Sequence, residues 1–175
     1  MTNVEIKAEV SKAQQEVIRD YLRRSASARF KGTDLQTDTY FKVLDGRLKL
    51  REGNIENYLV QYERPNQTGP KTSKCILTKV FPEQIESLKQ SLKTSLGVMA
   101  VVKKQRGIYY VDNVKVHLDY VNSLERRFVE IEAQDEREIC NLNTLRSQCV
   151  YMMIEFGIKE EQLIHNSYSD MVLSD

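Results

Sequence analysis

Asn3-Val4-Glu5-Ile6-Lys7-Ala8-Glu9-Val10 alternates without a break between polar and apolar side chains, the period of a strand with two unlike faces. Val4, Ile6, Ala8 and Val10 share one face, and Glu5, Lys7 and Glu9 share the other. The same division recurs along the chain. Arg47, Lys49 and Arg51 alternate with Leu48 and Leu50, and Lys115, His117 and Asp119 alternate with Val114, Val116 and Leu118. Lys104 and Arg106 share a face, and Glu130 and Glu132 stand on one parity against Val129, Ile131 and Ala133. In all, about eight strand segments are expected, over 3–10, 38–44, 47–51, 58–64, 74–80, 99–111, 114–121 and 128–133. Asp45-Gly46 and Asp112-Asn113 sit between such segments and read as two-residue hairpin turns, because these residues tolerate positive φ.

Three helices are expected between the strands. Ser11 with Gln14 forms a capping box ahead of the apolar set Val17, Ile18, Tyr21 and Leu22. Pro82 suits a first helical position before Ile85, Leu88 and Leu92. Asp135 with Glu138 opens a third helix in which Ile139, Leu142, Leu145, Cys149, Met152 and Phe156 recur at helical spacing, with Gly157 as its C-cap. The stretch 66–73 reads as a loop. Strands arriving in runs, without regular β-α-β alternation, favour an antiparallel sheet with outer helices, an α+β arrangement.

Alternation alone fits a sheet with one wet face. The number of strands adds a second possibility, since about eight strands can close into a barrel with an inside and an outside. If helices cover the apolar parity, the charged parity lines the interior, where unpaired charge is costly. The expected fold is therefore an α+β protein with an eight-stranded closed antiparallel β-barrel, a tunnel, and helices packed outside.

A highly charged anion bridged by divalent metal would satisfy such an interior. Carboxylates from separate strands, Glu5, Asp119, Glu130 and Glu132, suit hard cations such as Mg²⁺ or Mn²⁺. Lys7, Lys49, Arg51 and Arg106 suit phosphate oxygens, the arginines in bidentate fashion. Lys104 joins them by parity with Arg106; Arg64 joins them only if it, rather than Glu63, faces inward. The sequence has no Gly-rich P-loop, no nucleophile elbow and no HExxH, so it offers no covalent or zinc chemistry.

The 175 residues suit one domain spanning 1–175. Lys and Arg number 26 against 25 Asp and Glu, so no overall basic field points to nucleic acid or membrane. No secretory leader or apolar span is expected, and Cys75, Cys140 and Cys149 fit neither a zinc site nor a disulfide framework. A cytoplasmic protein, monomer or homodimer, is the expectation.

Asn3-Val4-Glu5-Ile6-Lys7 resembles the opening Glu-x-Glu-x-Lys signature of the CYTH domain, the triphosphate tunnel metalloenzyme superfamily. That superfamily joins class IV adenylate cyclases, thiamine triphosphatases and inorganic triphosphatases. The resemblance continues through Asp38–Phe41, Gly46–Arg51, Gln61–Pro65, Lys103–Arg106, His117–Asp119, Phe128–Glu132 and Ser167–Asp170, in family order. It implies a tunnel that binds a small-molecule triphosphate. Glu5, Asp119, Glu130 and Glu132 would serve Mg²⁺ or Mn²⁺, and Lys7, Lys49, Arg51 and Arg106 would hold the triphosphate. Lys7 would also help activate the attacking water. Asn3 replaces the first signature Glu, a departure that resembles the CyaB-like branch. A basic residue that many members place near the C-terminus has no clear match here. The implied activity is metal-dependent hydrolysis of inorganic, thiamine or nucleoside triphosphate. The alternatives are a class IV-type cyclase making cyclic AMP from ATP, and a non-catalytic polyphosphate- or nucleotide-binding module.

Overall fold

The computed structural model describes residues 2–63, 70–135 and 141–174. Among these residues eight strands and four helices alternate as β1 (Thr2–Glu9), α1 (Lys12–Arg24), β2 (Ala28–Phe41), β3 (Arg47–Glu52), β4 (Tyr58–Glu63), β5 (Lys71–Lys79), α2 (Pro82–Leu96), β6 (Val98–Val111), β7 (Val114–Val121), β8 (Arg126–Asp135), α3 (Leu142–Glu155) and α4 (Tyr168–Ser174). The architecture is α+β, a curled antiparallel sheet in the order β1-β5-β4-β3-β2-β6-β7-β8. β1 bonds along its full length to β8, from Thr2↔Asp135 to Glu9↔Phe128, and over its first half to β5.

The apolar parity supplies the convex face, and the helices cover it. Val4, Ile6 and Ala8 of β1, Val116 and Leu118 of β7, and Val129 and Ile131 of β8 are buried against Ile18 and Leu22 of α1 and Leu145, Cys149 and Met152 of α3. Each such side chain stabilises the fold by roughly 1.5–3 kcal/mol on full burial. Phe41, Leu50 and Val80 are covered by Ile85, Leu88 and Leu92 of α2. On the inward parity, Ala100 and Val102, in line with Lys104 and Arg106, and Phe128, in line with Glu130, cluster with Tyr168 and Met171 of α4. With the outer face so occupied, the charged parity of β1, β3, β6, β7 and β8 is left on the concave side.

Several local expectations need correction. β2 begins at Ala28, ten residues before the alternating segment, and its bulge at Gly32 bends the ladder with β6. Asp45-Gly46 does not form a two-residue turn. Lys42 to Gly46 all lie between β2 and β3, and of Asp45 and Gly46 only Gly46 has positive φ, at 67°. Asp112-Asn113 does join β6 to β7 as a two-residue turn, with Asp112 at φ 52°. Ser11 caps α1 by accepting from the Gln14 amide, yet the Gln14 side chain turns away to the Gly157 carbonyl and Gln162 instead of closing a box. Val17, expected in the apolar set of α1, is 68 % exposed. Asp135 ends β8 rather than opening a helix, and α3 is capped by Asn141, whose side chain accepts from the Thr144 amide at 2.8 Å. Leu142 is exposed at its first turn. Glu138, Ile139, Cys140 and the first half of the expected 66–73 loop lie outside the described residues, and β5 takes up Lys71 to Ser73.

A Cβ at Gly46 would stand 2.8 Å from the Tyr62 carbonyl oxygen as well as forcing a left-handed side-chain residue. Gly46→Ala is expected to cost about 1–3 kcal/mol in urea unfolding. A cost below about 0.5 kcal/mol would show that this link relaxes freely and does not fix the β2–β3 register.

Candidate functional site

One cavity of about 140 Å³ occupies the concave face. Glu5, Lys7, Lys49, Arg51, Lys104, Arg106, Glu130 and Glu132 line it, which brings together eight of the ten residues expected from the sequence. Arg64 lies outside the described residues. Asp119 is fully buried behind Arg106 rather than at the cavity surface.

Asp38 of β2 organises the first group. Arg51 donates to both of its carboxylate oxygens, at 2.8 and 2.9 Å, while Lys49 at 2.9 Å and Lys104 at 2.7 Å share its Oδ2. Burial alone would raise the Asp38 carboxyl, but Arg51, Lys104 and Lys49 hold it well below the usual carboxylate range. Three cations on one carboxylate leave excess positive charge facing the cavity. Burial pushes the Lys104 ammonium down to about 7; Asp38 opposes that shift, and Arg51, Arg106 and Lys49 reinforce it.

The second group spans β1, β6, β7 and β8. Arg106 donates to both oxygens of Asp119, at 2.7 and 2.5 Å, and to Glu130 at 2.6 Å. Lys7 approaches Glu130 at 3.0 Å, its ammonium also 3.8 Å from the centre of the Tyr168 ring. Tyr168 donates its hydroxyl to Asp119 at 2.7 Å, so the start of α4 braces the guanidinium from behind. Against the cost of burial, Arg106 and Lys7 hold the Glu130 carboxyl well below its ordinary value. His117 Nδ1 lies 3.2 Å from Glu130, and burial followed by the nearby Arg106 keeps the imidazole neutral, with its pKa lowered to about 4.

On the β1–β8 wall the charge is reversed. Glu5 stands directly opposite Glu132 in the ladder. Burial, and then the Glu5 charge, pushes the Glu132 carboxyl up. The Asn3 amide nitrogen donates to Glu132, while Asn3 Oδ1 is buried without a hydrogen-bond partner. Among the described residues no three His, Cys, Asp or Glu side chains converge into a ready-made ion site. Two facing carboxylates with an orphaned amide oxygen nevertheless form an oxygen-only donor set of the kind that suits a hard divalent cation. A cation there would relieve both the like-charge repulsion and the unsatisfied oxygen.

Four participants were missed from the sequence. Asp38 opens an alternating segment through which the family resemblance runs, but alternation alone does not separate it from a solvated residue. Lys115 had the right parity, yet its partner Glu56 lies in the β3–β4 connection, where no periodicity operates. Glu56 is placed there by Asp34, which accepts from the amides of Ile55 and Glu56 at 2.9 and 3.0 Å. It gathers Lys115 at 2.9 Å, Lys31 at 3.3 Å and Arg51 at 3.6 Å. Lys71, read as part of a loop, is instead buried in β5 and donates to the carbonyls of Ile164 and His165 at 3.1 and 2.8 Å, fixing the segment that delivers Tyr168.

Residues 1–168 match the family model of the CYTH domain, and the chain belongs to the CYTH domain family. The fold is shared with solved structures of low sequence identity. The PH1012 protein of Pyrococcus horikoshii is 23 % identical, with TM-score 0.73 over 96 % of this chain and 98 % of its own. A provisionally assigned adenylate cyclase of Vibrio parahaemolyticus is 18 % identical, with TM-score 0.76 over 100 % and 99 %. HpAC1 of Hippeastrum, described as having a dominant triphosphatase activity, is 15 % identical, with TM-score 0.69 over 98 % and 95 %. No curated protein matches the chain.

Proposed function

We propose that the chain is a divalent-metal-dependent triphosphatase whose sheet works as a closed eight-stranded tunnel. The observation that carries this reading is the polarity of the cavity, with Lys49, Arg51 and Lys104 crowded on Asp38 at one side and Glu5 facing Glu132 at the other. A polyphosphate would add negative charge beside the clustered cations, and a metal ion would ease the repulsion between the facing carboxylates. Lys49, Arg51, Lys104 and Arg106 would hold phosphate oxygens. Glu5, Glu130 and Glu132 would hold Mg²⁺ or Mn²⁺, and Asp119 would reach the ion only by releasing Arg106 to the substrate. When bound, the metal would neutralise charge on the phosphates as an anhydride bond breaks. Lys7, held between Glu130 and the Tyr168 ring, is the residue proposed to help activate the attacking water. The names of the solved neighbours, one for triphosphatase activity and one for cyclase, are consistent with chemistry on a triphosphate.

The test is turnover by the purified chain, with Mg²⁺ or Mn²⁺, on inorganic triphosphate, ATP and thiamine triphosphate, scored for phosphate and cyclic AMP. Phosphate release that vanishes with chelator supports the proposal. Cyclic AMP without phosphate release would replace it with a cyclase, and tight binding without turnover with a binding module.

Lys104 gives this reading a pH signature. Near pH 8 its ammonium is largely deprotonated in the free protein, and a polyanion raises its pKa back towards the ordinary lysine range. Binding of inorganic triphosphate is therefore expected to take up as much as one proton above pH 7 and none from this group below about pH 6. Calorimetry in two buffers of different ionisation heat measures the uptake, and Lys104→Met is expected to remove it. An uptake at pH 8 unaltered in Lys104→Met would show that Lys104 is not its source. The same shift acts on stability. Because the unfolded chain holds this proton up to its ordinary lysine value and the folded chain loses it near 7, the penalty of burying Lys104 is full below pH 7 and falls away as pH rises above it.

A further inference from the structure

The concave face has two unlike ends. At one, Ala100, Val102 and Phe128 are buried against Tyr168 and Met171 of α4, and Arg47 pairs with Asp170 at 2.7 Å, so that α4 fills the space between the strands. β5, β6 and β8 start at this end and run away from it. At the far end Leu77 of β5 lines the cavity and is 47 % exposed, which marks an opening. β6 finishes there beside Tyr110, which is half-buried and shares the inward parity of Lys104 and Arg106. Tyr110 stands opposite Arg29 in the β2 ladder and opposite Lys115 in the β7 ladder. Arg29, Lys31 and Lys115 lie 5.0, 5.9 and 5.7 Å from the centre of its ring. Lys115 lines the cavity, whereas Arg29 and Lys31 are exposed outside its lining. Lys31 and Lys115 share Glu56 Oε1, and Glu56 Oε2 lies 3.6 Å from Arg51, so cations lead from solvent to the Asp38 group with one carboxylate between. An aromatic face in contact with water holds a cation far more loosely than the buried ion pairs deeper in. Such a cation is free to meet an arriving anion, and positive charge at the mouth of a cleft raises the rate at which anions arrive.

From this, and resting on the triphosphatase reading, we infer that Arg29 and Lys31 form a capture collar at the open end, which draws the anionic substrate in and passes it to Lys115 and Arg51 without holding it during turnover. A collar acts on arrival, so its loss lowers kcat/KM and leaves kcat alone. In the full chain, with Mg²⁺ or Mn²⁺ and inorganic triphosphate, the double variant Arg29→Gln/Lys31→Gln is expected to lower kcat/KM about five- to tenfold at an ionic strength of about 0.02 M, with kcat within twofold. At about 0.5 M, where screening acts over a few Å, the same variant is expected to differ less than twofold. The charge-conserving pair Arg29→Lys/Lys31→Arg is expected to keep the native kcat/KM, which separates loss of charge from loss of fold. An unchanged kcat/KM at low ionic strength, or a loss that persists in full at high salt, would overturn the collar while leaving the triphosphatase reading intact. If nothing is hydrolysed, stopped-flow association rates of mant-ATP, a fluorescent nucleoside triphosphate, read the same salt-dependent difference, so failure of catalysis and failure of the collar stay distinguishable. Absence of binding by both compounds overturns both.

Discussion

Asp38→Asn is expected to lower the folding free energy by about 3–5 kcal/mol, the cost of removing one partner from a buried ion network. Asp38 is fully buried and is the shared partner of Arg51, Lys49 and Lys104. A neutral amide of the same shape leaves those cations crowded together with no counter-charge between them. The loss should be partly reversible, because inorganic triphosphate at about 100 times its Kd would return about 2.7 kcal/mol if only the folded chain binds it. Urea unfolding with and without the anion measures both effects. A cost below about 1 kcal/mol would mean that solvent, rather than Asp38, balances these cations. The sign with pH follows from the depressed carboxyl: its contribution is whole above the ordinary aspartate value of about 3.9, and is lost as pH falls through its lower folded value.

Glu130→Gln should produce the largest catalytic effect. Glu130 is where Lys7, Arg106 and His117 meet, and it is also a proposed metal ligand. The expected result is a kcat lower by about 10²–10³-fold, the scale of removing one preorganised electrostatic group. The metal concentration for half-maximal rate is expected to rise about tenfold or more. Rates measured across a Mg²⁺ or Mn²⁺ titration separate the two roles. A lower kcat with unchanged metal dependence would remove Glu130 from the ligand set and leave it the task of holding Lys7 and Arg106. A near-normal kcat would sink both.

The sequence was most legible where an apolar outer face meets a helix. β1, β7 and β8 alternate cleanly because Val4, Ile6, Val116 and Ile131 pack on α1 and α3, which forces the opposite parity inward. The first half of β2 gave no such signal. Its buried residues include Asp34 and Gln36, held by hydrogen bonds that hydropathy does not register. β4 and β5 invert the rule, with Val60 and Tyr62 on the inner face, Glu63 on the other parity of β4, and Ile76 exposed outside. Parity also placed Asp119 correctly on its strand. Its position behind Arg106, however, depends on Tyr168, a residue 49 positions away.

On the proposed function, Asp38, Asp119, Glu130 and Glu56 act as internal substitutes for substrate, because they occupy cations that a phosphate chain would need. An entering anion must therefore displace carboxylates rather than fill a vacancy. That sets a threshold of charge, since only a ligand carrying several negative charges gains enough from the cluster to outcompete them. The proposed cleavage would divide one such ligand into two pieces, each carrying less charge than the whole. The carboxylates that keep the resting protein folded would then reclaim their cations, so that product leaves through competition from the protein's own side chains.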